Sequence, residues 1–137
     1  MVAVAGYTPL LSTYNAADCD GVVRISTGST YGTGVLLGDG HAILTSAHLL
    51  VSTPTNISNL SIVFEINRTS TKLRANSFFL HPFFEPLNDN YDLAIIRLTE
   101  TALQEADRSY LYRENDEINQ NATLVGYGTS VDNGTSL

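Results

Sequence analysis

Apolar residues in this chain fall into short runs separated by clusters of Gly, Asn, Ser and Thr, and the three-to-four-residue spacing of an amphipathic helix is scarce. That pattern predicts an all-β protein, an antiparallel barrel or sandwich. The clearest hairpin joins Gly34-Val35-Leu36-Leu37 to His41-Ala42-Ile43-Leu44 through Gly38-Asp39-Gly40, where Asp-Gly tolerates the positive φ of a tight turn. Further strands are expected at Val22 to Ser26, at Leu60 to Ile66 with its alternating Ile62, Phe64 and Ile66, at Leu73 to Leu80 and at Leu93 to Leu98. Six strands therefore precede residue 100.

A seventh, Ala122 to Val125, follows the polar stretch Arg113-Glu114-Asn115-Asp116-Glu117, and Gly126-Tyr127-Gly128 then opens a tail of turn-forming residues that reads as an exposed loop. Residues 1–20 have no usable period. Thr99 to Leu111 fits a short surface helix or a plain connection. No internal repeat stands out.

Composition narrows the function classes. Seven Lys and Arg against fourteen Asp and Glu give a formal charge of −7 on 137 residues, with 43% hydrophobic and 15% charged residues, as in a single soluble domain. With so few basic residues and no run of them, nothing is available to neutralise a phosphate backbone, and an anionic membrane surface would repel the chain. Neither nucleic acid nor membrane is expected as a partner. One cysteine, Cys19, rules out an intrachain disulfide and a cysteine-based zinc cluster. No cofactor or metal is expected. No stretch approaches the roughly eighteen apolar residues of a membrane-spanning helix, and Met1-Val2-Ala3-Val4-Ala5 lacks the flank and length of a secretion signal. Sequons begin at Asn56, Asn59, Asn67, Asn121 and Asn133, as a Ser/Thr/Asn-rich chain produces by chance.

Two residues stand out for chemistry. His48 follows Thr45-Ser46-Ala47, where small side chains leave room around the ring as the chain leaves the sheet, and room and exposure are what a general base needs. Asp92 heads the apolar run Leu93-Ala94-Ile95-Ile96. An ionised carboxylate at such a strand end costs several kcal/mol unless it is paired, so its position asks for a donor such as the imidazole of His48. Asp89 reads as a turn residue, and His41 and His81 as structural.

The segments around these two residues resemble those of chymotrypsin/trypsin-like serine peptidases, in the right order. Gly32-Thr33-Gly34-Val35-Leu36-Leu37 is similar to the first hairpin strand of that family, and Ile43-Leu44-Thr45-Ser46-Ala47-His48 to its histidine signature. His81-Pro82-Phe83-Phe84 is similar to the step before the aspartate loop, Asn90-Tyr91-Asp92-Leu93-Ala94-Ile95-Ile96-Arg97-Leu98 to the aspartate segment, and Val125-Gly126-Tyr127-Gly128-Thr129 to the entry into the second barrel. His48 and Asp92 are 44 positions apart, against about 45 in the chymotrypsin-type triad.

The resemblance implies a six-stranded Greek-key barrel, the first of two, over residues 21–112. Residues 1–20 would be an N-terminal extension, and residues 113–137 the crossover and the first strand of a second barrel. It implies a secreted or extracytoplasmic serine endopeptidase, with catalytic His48 and Asp92, a polypeptide substrate, and as partner the missing C-terminal barrel or a second copy of the chain. The nucleophilic serine is expected roughly 90 residues after Asp92, near position 185, beyond Leu137. Ser109, Ser130 and Ser136 do not stand in the Gly-Asp-Ser-Gly setting of the family, so the chain alone is expected to be inactive.

Two features depart from the family. Its members commonly carry a disulfide from the first hairpin to the residue after the histidine, where this chain has Leu49, so packing must replace the bridge. No Ile-Val-Gly-Gly type N-terminus occurs in residues 1–20. The alternative reading is a non-catalytic protein-binding module on the same half-fold. The related stress-protease type usually has Asn before the histidine, and Ala47 argues against it.

Overall fold

The computed structural model describes residues 2–4, 19–51, 56–121 and 123–127. Its strands are β1 (Val2–Val4), β2 (Val22–Ser26), β3 (Tyr31–Leu36), β4 (Ala42–Thr45), β5 (Ser61–Ile66), β6 (Thr69–Leu80), β7 (Ala94–Leu98) and β8 (Thr123–Val125). A short helix, α1 (Ala47–Val51), and a 3-10 turn at Ile57–Asn59 lie between β4 and β5.

Alternation closes the barrel. In β7, Ala94, Ile96 and Leu98 are buried while Ile95 and Arg97 are half-buried, and in β2, Val23 and Ile25 point inward. Strands with one apolar face stabilise one another only by closing around a shared interior. Here six close in the order β2-β3-β4-β7-β6-β5, every pair antiparallel. The chain crosses from β4 to β5 and returns through consecutive hairpins to β7, which is a Greek-key path. Phe64, Ile25, Leu36, Ile43, Leu60, Ile62 and Ile96 are the largest fully buried side chains of the core.

Turn chemistry sets the registers. Between β3 and β4 only Gly40, at φ +71°, needs the left-handed region, and Asp39 Oδ1 accepts the N–H groups of His41 and Ala42, both at 2.9 Å. The β5–β6 hairpin turns on Asn67 (φ 50°) and Arg68 (φ 63°). Such a turn ordinarily signals itself by Asn-Gly, and without that signal the sequence places the start of β6 at Leu73, four residues late. A bulge between Ala75 and Ser77 lets this 12-residue strand pair first with β5 and then with β7.

The expected all-β barrel is present. Thr99 to Leu111 is a connection, not a helix. It is held by Arg108, whose guanidinium donates to the carbonyls of Leu103 (2.7 Å), Ala102 (3.3 Å) and Ala106. β1, three residues long, pairs with β8 and is too short to show a period. Gly126 and Tyr127 are half-buried, unlike the exposed loop expected there. The Tyr127 N–H donates to Thr33 Oγ1 at 2.8 Å, tying the stretch after β8 to the barrel wall. Ser130, Asn133 and Ser136 lie outside the described residues.

Because Phe64 is fully buried at the barrel centre, Phe64→Ala is expected to cost about 3–5 kcal/mol, a large share of the roughly 5–15 kcal/mol that holds a typical domain folded. The urea midpoint checks this. A change within error would show that the strands do not converge on that ring.

Candidate active site

Asp92 and His48 flank two neighbouring strands of the barrel wall and meet at one end of it. β4 ends at Thr45, whose Oγ1 donates to Thr33 O at 2.8 Å, and the chain turns into α1. Ala47 is fully buried, and the turn brings His48 out with its side chain 57% exposed. Asp92 precedes β7, in a tight turn closed by Leu93 N–H donating to Tyr91 O at 2.7 Å. Since β4 pairs with β7, with Thr45 opposite Ala94, the strand register puts the two residues side by side.

The contact has two arms. Asp92 Oδ1 accepts the backbone N–H of His48 at 2.8 Å, and Asp92 Oδ2 lies 2.5 Å from His48 Nδ1. The backbone N–H groups at the start of α1 have no partner within the helix, so the carboxylate satisfies a donor that would otherwise stay open. Burial alone would raise the Asp92 carboxyl, but hydrogen bonds from the His48 ring and N–H, with a smaller one from the Ala47 N–H, hold it below its ordinary value of 3.8. An ionised carboxylate only accepts. The proton on this edge of the ring therefore sits on Nδ1, and neutral His48 presents Nε2 as the basic atom on a half-exposed ring.

A packing contact stands where the family disulfide would be. A side chain added at Gly32 would begin 2.7 Å from Leu49 Cδ2 and 3.0 Å from Cδ1. Leu49, only 7% exposed, thus fills the space that the glycine leaves. The residue after His48 is anchored to β3 by shape, as the expected replacement for the bridge requires. Nothing in the local pattern singles out Gly32, because the contact joins residues far apart in the chain.

The other candidates lie elsewhere. His41 Nε2 is 3.0 Å from Thr101 Oγ1. His81 Nδ1 accepts the Phe83 N–H at 3.1 Å. Ser109 is exposed and bridged to Leu37, at the end of β4 away from His48. Cys19 is half-buried. An ion pair that sequence reasoning missed, Arg97 Nη1 to Asp39 Oδ2 at 2.7 Å, braces the far end of β7. Among the described residues no group of three or more His, Cys, Asp or Glu is arranged to hold a metal ion, and no helix is long and apolar enough to cross a membrane.

Two predictions follow from this geometry. Gly32→Ala should destabilise the chain by about 1–3 kcal/mol through overpacking, and Leu49→Ala in the same chain should recover part of that loss, so the double-mutant cycle is non-additive. Additive losses would mean that the two sites do not touch. Among the described residues, two carboxyls are lowered and make the fold sensitive to acid. The His41 N–H and the Arg97 guanidinium hold Asp39 below 3.8 against the opposing effect of burial, and Asp92 is lowered as described. Groups lowered in the folded state contribute stability above 3.8 that is lost as pH falls through their folded values. Denaturation midpoints should decline on acidification below that point, and Asp39→Asn with Asp92→Asn should flatten the decline. Parallel curves would contradict this.

Taken by itself, the arrangement is a histidine held in one tautomer by an aspartate, on the wall of a closed six-stranded barrel. The family model described as Trypsin matches residues 12–137. No curated protein matches the chain. The match spans the barrel and the segments that carry His48 and Asp92, and the chain belongs to the trypsin family.

Proposed function

We propose that this chain is the barrel of a secreted, trypsin-like serine endopeptidase that supplies two members of a Ser-His-Asp triad, His48 as general base and Asp92 as its orienting partner. The observation that carries the reading is the two-armed contact, in which one carboxylate accepts both the N–H and the ring Nδ1–H of the same histidine.

In this reading His48 Nε2 takes the proton of a serine as its oxygen attacks the scissile carbonyl, and later returns that proton to the leaving amine. Asp92 keeps Nδ1 protonated throughout and stabilises the imidazolium formed between the two steps. Residues 21–112 form the catalytic half-barrel, residues 1–20 an extension, and residues 113–137 the crossover. A second barrel supplies the nucleophile, the oxyanion hole and the specificity pocket. The outer face of β6 and of the residue leading into β7, where Phe79 is 61% and Leu93 48% exposed, suits apolar cover by that barrel or by a second copy of the chain. The substrate is a polypeptide.

The 137-residue chain alone should hydrolyse no peptide above background and should resist labelling by a fluorophosphonate probe. Joined to a second barrel that carries a Gly-Asp-Ser-Gly segment, it should gain activity. There His48→Ala should lower kcat by roughly 10⁶-fold and Asp92→Asn by about 10⁴-fold. Labelling of the chain alone, abolished by replacing one of its own serines, would overturn the assignment of the nucleophile. If the gene that encodes this chain has no such segment, the non-catalytic binding module becomes the better account.

A further inference from the structure

The residue before Asp92 has a backbone that its side chain does not favour. Tyr91 sits at φ 52°, in the left-handed region that bulky residues rarely enter and that persists only where the surroundings impose it. Its ring is 57% exposed, so core packing does not impose this conformation. His81 does. The imidazole of His81 stacks on the Tyr91 ring with centroids 4.9 Å apart and planes 14° from parallel. The Phe83 ring meets Tyr91 edge-on at 5.7 Å and lies 5.8 Å from His81.

His81 also holds the other flank of Asp92, because its backbone N–H donates to Leu93 O at 2.8 Å. The ring itself is oriented by accepting the Phe83 N–H at Nδ1. One residue at the end of β6 therefore grips both neighbours of the carboxylate, Tyr91 through its ring and Leu93 through its backbone. Between the two grips the chain has only Asp92, in a turn whose closing bond runs from Leu93 N–H to Tyr91 O. Farther out, Glu85 closes the rest of the loop, donating its N–H to Asn90 O at 3.0 Å and accepting Asn90 Nδ2 at 3.2 Å through its side chain.

We propose that His81 is a positioning residue for Asp92, acting through the Tyr91 stack to hold the carboxylate against His48. The proposal rests on the reading of Asp92 as the partner of His48. Loosening the stack frees Tyr91 to leave the left-handed region, turns Asp92 away from α1 and lengthens both of its bonds to His48. Stacking is the carrier, because it is what links the His81 side chain to the strained residue. The Nδ1 bond to Phe83 only aims the ring.

The test is a ¹³C NMR titration of the Asp92 carboxyl in the full chain. His81→Asn keeps an acceptor for the Phe83 N–H and removes the stack, His81→Phe keeps a stacking ring and removes the acceptor, and Tyr91→Ala removes the ring but leaves a residue that disfavours the left-handed region. Tyr91 is exposed, so Tyr91→Ala reads the stack in a folded chain even where a change at His81 disturbs β6. In His81→Asn and Tyr91→Ala the Asp92 midpoint should rise toward the ordinary carboxylate value, by about threefold or more in proton affinity, while His81→Phe stays near the parent. A parent midpoint that is lowered and unmoved by any of the three changes would overturn the positioning role alone. A rise in His81→Phe equal to that in His81→Asn would overturn the stack as its carrier. If Asp92 titrates at its ordinary value in the parent chain, it is the His48–Asp92 pairing that fails.

Discussion

One carboxylate organises this end of the barrel. Asp92 stands at the head of a strand buried on one face, and its negative charge is tolerated there because donors converge on it from α1. The His48 N–H and ring both bond to it, at 2.8 and 2.5 Å, and a weaker contribution comes from the Ala47 N–H. The dependence is mutual. Without the carboxylate the first turn of α1 leaves a backbone donor unpaired and the ring has nothing to fix its tautomer, and without those donors an ionised group at a partly buried strand end is costly.

The rest of the fold serves that contact by fixing where its two ends lie. The β4–β7 register places Thr45 beside Ala94, and residues 46–48 and 92–93 then have little freedom. The bulge in β6 lets one strand serve two neighbours, and His81, which follows its last residue, lies beside the Asp92 turn. On the histidine side, Leu49 occupies the space over Gly32, so shape complementarity anchors α1 to β3 where a covalent bridge serves many relatives.

Legibility in the sequence followed the range of the interactions. β2 was readable to the residue, and β5 and β7 to within one, because their apolar alternation is strong and local. His48 and Asp92 were readable because motif and spacing coincide. The start of β6 was not, since Asn67 and Arg68 adopt positive φ without a glycine to announce it. Nor was β1, where three residues show no period. The Leu49–Gly32 and Asp39–Arg97 contacts join residues brought together only by the closed barrel. His81 was read as structural from its place before Pro82, but its grip on both flanks of Asp92 depends on a backbone conformation at Tyr91 that sequence does not encode locally.

The pairing of His48 with Asp92 turns most on which nitrogen of the ring carries the proton. ¹⁵N NMR of the His48 ring, in the 137-residue chain at a pH where the ring is neutral, reads this directly. A protonated Nδ1 with an unprotonated Nε2, and loss of that preference in Asp92→Asn, is the result predicted here. A ring protonated on Nε2, or a tautomer unaffected by Asp92→Asn, would contradict it.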